Sequence, residues 1–248
     1  MAFQAGTSYN KIKLLNNNTI TAIINASCCG NGKRRLCTAG GYLYTITKGD
    51  FVNICIFGAS SDIIEEKYVK AAYDLAAEMA KRGHGLIFGG GGKGVMGATA
   101  QAVYDNGGFV YGVAPEFMIE YNVFFEHCTK FKHTKTMAER KTFMEDHADA
   151  FIIAPGGIGT YEEFFEVYTL KQLGRHDKAI AVFNPYGYYD QMLEMLKHTV
   201  NEKFMNQASL DLIKVFDDAN ALLDDLEAYR GKAVDVQKLR YDLKENDK

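Results

Sequence analysis

AFIIAPGGIGTYEEFFEVYTLKQL, residues 150–173, joins an apolar run to a helix-like run through one proline and three glycines. Ala150–Ala154 is short, apolar and stopped by Pro155, as in a buried strand. The residues to Leu173 continue as a helix. Between the two, Gly156, Gly157 and Gly159 remove side chains and widen the dihedral choice, so bare backbone can approach whatever occupies the strand's end. The unpaired N–H groups of the first helical turn point at that loop and, with the helix dipole, favour an anion, a phosphate above all. Thr160 and Glu163 have the spacing of a capping box, so Glu163 reads both as a helix cap and as a carboxylate available for chemistry.

The same alternation extends in both directions. Upstream, Val52–Phe57 reads as a buried strand, GASSD as a turn, and Ile63–Arg82 as an amphipathic helix stopped by Gly83. Leu86–Phe88 is a second strand, GGGGKGVMG (Gly89–Gly97) opens a helix to about Asn106, and Phe109–Val113 is a third strand. Val123–Thr134 holds an extended piece, and Met137–His147 a helix carrying Arg140 and Lys141. Downstream come a strand Ala179–Phe183, a helix Tyr188–Glu202, a strand Ile213–Phe216 and a helix Asp218–Tyr229. Short apolar strands alternating with helices through glycine-rich turns predict an α/β fold with a doubly wound parallel sheet. Such sheets bind ligands at the carboxyl ends of their strands, where both glycine loops fall.

Residues 51–230 therefore read as one domain, 1–50 as an irregular N-terminal extension and 231–248 as a charged, solvated tail. The chain has 248 residues, 47% of them hydrophobic, enough for a substantial core. The formal charge is −3, yet residues 1–49 hold six basic residues and no acid. An acidic body argues against a nucleic-acid surface. No apolar run is long enough for a membrane span. The five cysteines, an odd number without a C-x-x-C pair, point to neither a disulfide framework nor a structural zinc site. A cytoplasmic location is expected, and the acid-free terminus is also compatible with an organellar presequence.

Several motifs compete for chemistry. Gly92, Gly94 and Gly97 satisfy G-x-G-x-x-G, with Glu116 near the distance of a ribose-binding acid, which is the dinucleotide reading. It is weakened because the motif follows the second strand. Scattered histidines without metal-ligand spacing predict no metal, and His84 and His147 at helix ends read as structural. Cys55 lies inside a strand as a small apolar residue. Arg140 and Lys141 read as a solvated basic pair unless the fold brings them to the Pro155–Glu163 loop.

At these residues the chain resembles the LOG family, the cytokinin riboside 5'-monophosphate phosphoribohydrolases once often labelled lysine decarboxylases. The family's PGGxGTxxE stands as Pro155–Glu163 and its arginine-lysine pair as Arg140 and Lys141. IFGAS at Ile56–Ser60, the end of the first glycine loop at Gly94–Gly97, and QLGRHDK at Gln172–Lys178 match as well. The resemblance covers about Val52–Tyr229. It implies a Rossmann-like homodimer without metal or other cofactor that cleaves the N-glycosidic bond of a nucleoside 5'-monophosphate. It assigns catalysis to Arg140 and Glu163, and substrate binding to Ser60, Gly90, Gly91, Gly94, Met96, Lys141, Gly156, Gly157, Gly159 and Thr160. Gly92, Lys93 and Leu170 depart from the family's usual residues and leave the preferred base open. The competing class is a nonenzymatic nucleotide or cofactor carrier of the same fold, in which Glu163 only caps its helix.

Overall fold

The structure, a computed structural model, describes residues 12–16, 19–24, 36–38, 41–47, 52–121, 123–231, 234–236 and 239. The chain divides into two compact units, Met1–Phe51 and Val52–Lys248. In the first, where an irregular extension is expected, the described residues form four antiparallel strands in the order β1-β2-β4-β3: β1 Ile12–Asn16, β2 Thr19–Ile24, β3 Leu36–Thr38 and β4 Gly41–Thr47. Residues 28–35, most of the CCGNGKRRLC segment, lie outside the described residues.

The second unit is built on a seven-stranded parallel sheet. Its strands are β5 Asn53–Phe57, β6 Gly85–Phe88, β7 Val110–Pro115, β8 Lys130–Thr134, β9 Ala150–Ile153, β10 Ala179–Phe183 and β11 Lys214–Phe216, in the order β11-β10-β9-β5-β6-β7-β8. The helices are α1 Glu66–Lys81, α2 Gly94–Asp105, α3 Met137–His147, α4 Ile158–Gln172, α5 Asp190–Asn201, α6 Gln207–Leu210 and α7 Ala219–Ala228. Alternate strand residues face opposite layers. Ile54, Ile56, Leu86 and Phe88 join Leu75 of α1, Val95 of α2 and Leu222 of α7 in one core. Cys55, Phe57, Phe151 and Ile153 join Met144 of α3, Phe164 of α4 and Leu196 of α5 in the other. Strands buried on both faces are the apolar runs seen in the sequence. The fold is the expected α/β, Rossmann-like arrangement.

From β5 the chain winds outward to β8, then returns to β9 beside β5 and winds the other way. The order reverses between β5 and β9, so a crevice opens past their carboxyl ends. Cys55, in the middle of β5, is fully buried in the core, and burial pushes its thiol well up. His84 and His147 are structural: His84 Nε2 lies 2.8 Å from Glu227, and His147 Nδ1 lies 2.9 Å from the Phe143 carbonyl.

The described part of the tail packs on the body rather than standing in solvent. Val234, Val236 and Leu239 are half-buried, and Asn206 Nδ2 donates to the Leu239 carbonyl at 2.6 Å. Three apolar residues among the charges give that segment surface worth covering. Among the described residues no helix is long and apolar enough to cross a membrane.

Candidate active site

Three loops meet at the switch point. The Ala59 N–H, after β5, donates to the Pro155 carbonyl, after β9, at 3.1 Å, and the Met96 N–H, opening α2, donates to the Ala59 carbonyl at 2.9 Å. Gly94 adopts φ +61°, and a Cβ there would lie 2.3 Å from the Ser61 carbonyl oxygen. A Cβ at Gly97 would lie 2.3 Å from the carbonyl of Gly92. Close packing of loop on loop thus accounts for two glycines of the dinucleotide-like pattern, and the exposed Glu116 merely opens a 3-10 turn over Glu116–Tyr121.

Between these loops lies a cavity of about 600 Å³. It is lined by Ser60, Gly91, Met96, Arg140, Gly157, Gly159, Thr160 and Glu163, all singled out from the sequence. Gly90, Gly94, Gly156 and Lys141 do not line it. The first three pack the loops behind it: a Cβ at Gly90 would lie 2.8 Å from Phe131, and one at Gly156 would lie 2.1 Å from Thr160 Oγ1. Lys141 points away, its ammonium held by Glu162 and Glu166 of α4. Beside that cluster, burial and the Glu166 charge push the Glu145 carboxyl up to about 7.

Gly157 and Gly159 differ from the rest. A Cβ at either would meet nothing within 4 Å, and neither has a positive φ. No packing or dihedral need inside the chain accounts for them. They leave open the space in front of the α4 N-terminus, whose first backbone bond runs from the Tyr161 N–H to the Gly157 carbonyl at 3.0 Å. The N–H groups of residues 158–160 thus have no partner within the helix. From behind, Tyr189 Oη donates to the Ala154 carbonyl and Tyr188 Oη to the Gly156 carbonyl, both at 2.7 Å, which fixes the loop with its carbonyls away from the cavity.

The capping box expected at Thr160 and Glu163 does not form. Helix α4 starts earlier, on Gly157, and has no side-chain cap. Glu163 therefore sits in the second turn, free of backbone duty. The spacing is honoured instead at Thr136 and Glu139: Thr136 Oγ1 accepts from the Glu139 N–H at 3.1 Å, and Glu139 accepts from the Lys135 N–H at 2.9 Å. This cap starts α3 and aims Arg140 at Glu163.

Arg140 is not a solvated residue; it is 5% exposed, and Glu163 is 7% exposed. Arg140 Nη1 donates to Glu163 Oε1 at 2.7 Å, and Nε donates to the Val113 carbonyl at 3.1 Å. A Cβ at Gly89 would fall 2.1 Å from Nη2, so that glycine makes room for the guanidinium. Burial pushes the Glu163 carboxyl above the usual carboxylate range, with the Arg140 charge and hydrogen bond opposing. A buried ion pair thus borders the open end of a helix. That arrangement can hold an anion at one point and offer a desolvated carboxylate beside it.

Sequence reasoning missed the apolar side of the cavity, formed by Met118, Tyr121, Val123, Met137 and Ile158. The available signal was EFMIEYNVFF (residues 116–125), apolar yet without strand or helix period. Of the positions that depart from the family's usual residues, Lys93 lines the cavity and pairs with Asp62 at 2.7 Å, whereas Leu170 does not line it. Among the described residues no cluster of metal-ligating side chains occurs.

The family described as "Possible lysine decarboxylase" matches residues 96–226. The chain is 37% identical over 185 residues to the cytokinin riboside 5'-monophosphate phosphoribohydrolase LOG3 of Arabidopsis thaliana, a match spanning 75% of this chain and 86% of that one. With LOG2 of the same plant the identity is 38% over 197 residues, 79% of this chain and 92% of its relative. Among solved structures, the molybdenum cofactor carrier protein of Chlamydomonas reinhardtii superposes with a TM-score of 0.56 at 18% identity, covering 72% of this chain and 99% of that one. The molybdenum cofactor binding protein of Rippkaea orientalis superposes with a TM-score of 0.54 at 16% identity, over 72% and 95%. These two likenesses establish the fold alone. With the glycine-lined helix end, the buried Arg140–Glu163 pair and relatives of this similarity, the chain belongs to the LOG family of nucleotide phosphoribohydrolases, hydrolases that act on N-glycosidic bonds.

Proposed function

We propose that this chain hydrolyses the N-glycosidic bond of a purine nucleoside 5'-monophosphate, of the cytokinin type or AMP, releasing the free base and ribose 5-phosphate. The observation that carries the reading is the buried Arg140–Glu163 pair at the edge of the cavity that the α4 N-terminus faces. The phosphate sits against the N–H groups beside Gly157, Gly159 and Thr160, where helix dipole and open space coincide. Its binding energy positions the ribose. Glu163 then stabilises the oxocarbenium-like sugar and orients the attacking water. Arg140 keeps that carboxylate ionised and aimed, and N–H groups left over on Nη1 and Nη2 reach the ribose hydroxyls. Met118, Tyr121 and Val123 supply the apolar wall for the base. The reading includes a homodimer, supported by the partly exposed apolar groove of Tyr161, Phe165, Met192 and Met195 between α4 and α5.

Incubation of the purified protein with AMP and with isopentenyladenosine 5'-monophosphate, followed by chromatography, is expected to show free base and an equal amount of ribose 5-phosphate. Intact nucleotide in every case overturns the reading.

The glycines separate binding from folding. Gly157→Ala is expected to leave the melting temperature within about 2 °C while raising KM for the nucleotide at least about tenfold, because the new methyl occupies only ligand space. Gly156→Ala drives a methyl against Thr160 and is expected to lower the melting temperature clearly. Equal thermal effects of the two substitutions would contradict the assignment.

A further inference from the structure

At the opposite end of α4 a second cavity, about 620 Å³, lies under the C-terminal segment. Its lining combines the end of α4, the start of β10, residues 211–214, the end of α7 and the described residues of the tail. At its edge Gly231 packs against Asp177, since a Cβ there would lie 2.3 Å from Asp177 Oδ2. The walls are largely apolar, from Ile180, Leu212, Leu226 and the ring of Tyr229.

Lys171 lines this cavity without a counter-ion among the described residues. It is 4% exposed, and among the described residues it forms no ion pair and donates no hydrogen bond; its ammonium lies 5.1 Å from the centre of the Tyr229 ring. Of the charges that line the cavity, Lys214 pairs with Asp225, Asp211 accepts from Gln207 at 2.8 Å, and Arg230 donates to the Glu227 and Tyr229 carbonyls. Burial pulls the Lys171 amine down to about 8, with Asp177 opposing and Lys214 adding to the fall. An ammonium so largely covered, with no carboxylate paired to it among the described residues, favours a ligand that brings one. A cation on an apolar floor, with an aromatic face beside it, complements a flat apolar molecule bearing one negative charge.

We propose that this cavity is a second ligand site, separate from the Arg140–Glu163 cavity, that takes an aromatic carboxylate with its charge on Lys171 and its ring against Tyr229. The proposal does not depend on the nucleotide reading, because its test does not measure turnover.

The probes are 2-naphthoate and its neutral isostere 2-naphthamide, titrated into the full chain carrying labelled isoleucine and leucine methyl groups. The methyl resonances of Ile180, Leu212 and Leu226 are expected to shift with 2-naphthoate at least tenfold more tightly than with the amide, while those bordering the nucleotide cavity stay in place. Lys171→Met keeps the length and apolar character of the stem and is expected to abolish the preference for the charged probe. The selectivity within the wild-type chain decides the matter even if that variant does not fold. Equal affinity for acid and amide, absence of shifts at these methyls, or a preference for the acid that survives Lys171→Met overturns the proposal.

Discussion

Glu163→Gln is expected to lower the rate of base release about 10³-fold while nucleotide binding changes only a few-fold. The amide keeps an oxygen where Arg140 Nη1 donates at 2.7 Å, so the side chain stays in position, but it offers neither negative charge to the sugar nor a base to the water. Single-turnover release of adenine from AMP reads the first effect, and calorimetric titration with a non-hydrolysed nucleotide the second. Near-wild-type release by the variant removes Glu163 from the chemistry and leaves the ion pair as a packing device. The acid limb of the wild-type profile supplies an independent check. Activity needs the carboxylate, so it is lost as pH falls through the folded-state pKa of Glu163. Burial raises that pKa above the ordinary 4.5, so the limb in kcat/KM lies above 4.5 as well. A limb at or below that value contradicts a desolvated carboxylate.

The same residues show where sequence reading succeeds and where it stops. Helix α3 (Met137–His147) and strand β10 (Ala179–Phe183) fall at their expected residues, the first because Thr136 caps it and the second because an unbroken apolar run defines it. Strand β8 (Lys130–Thr134) is vaguer in the sequence because it is the sheet's edge and most of its side chains are exposed. The T-x-x-E spacing occurs at Thr136–Glu139 and again at Thr160–Glu163, among other places, and local sequence cannot say which one caps a helix. The loop at Gly156 and Gly157 lets α4 begin at Ile158, two residues before Thr160, and this early start releases Glu163. Arg140 and Lys141 are equally basic neighbours. Successive helix residues point about 100° apart, so only one can enter the cavity, and the choice is made by the Val113 carbonyl and the space at Gly89, both distant in the chain. The apolar wall at Met118 and Tyr121 lies in a 3-10 turn, which has no period to read in so short a piece.

Arg140→Ala is expected to be the most destabilising single change at the site, by about 3–5 kcal/mol near pH 8. It deletes the bonds to Glu163 and to the Val113 carbonyl, and leaves a 7%-exposed carboxylate without its counter-charge. The pH dependence identifies the cause. Arg140 holds the Glu163 pKa down against burial, so the variant's folded-state pKa lies above the wild-type value, and both lie above the unfolded one. Above both folded-state values the stability gap is fully present. It shrinks as pH falls and the variant's carboxyl takes up a proton, until only the packing and hydrogen-bond loss remains. Denaturant unfolding of both proteins at pH 8 and pH 5 measures this gap, which a loss caused by packing alone would leave constant. Combining Arg140→Met with Glu163→Gln removes both charges while keeping the volume filled, and is expected to recover most of the stability without restoring base release. A double variant no more stable than Arg140→Ala would mean that the unpaired buried charge is not what the single substitution exposes.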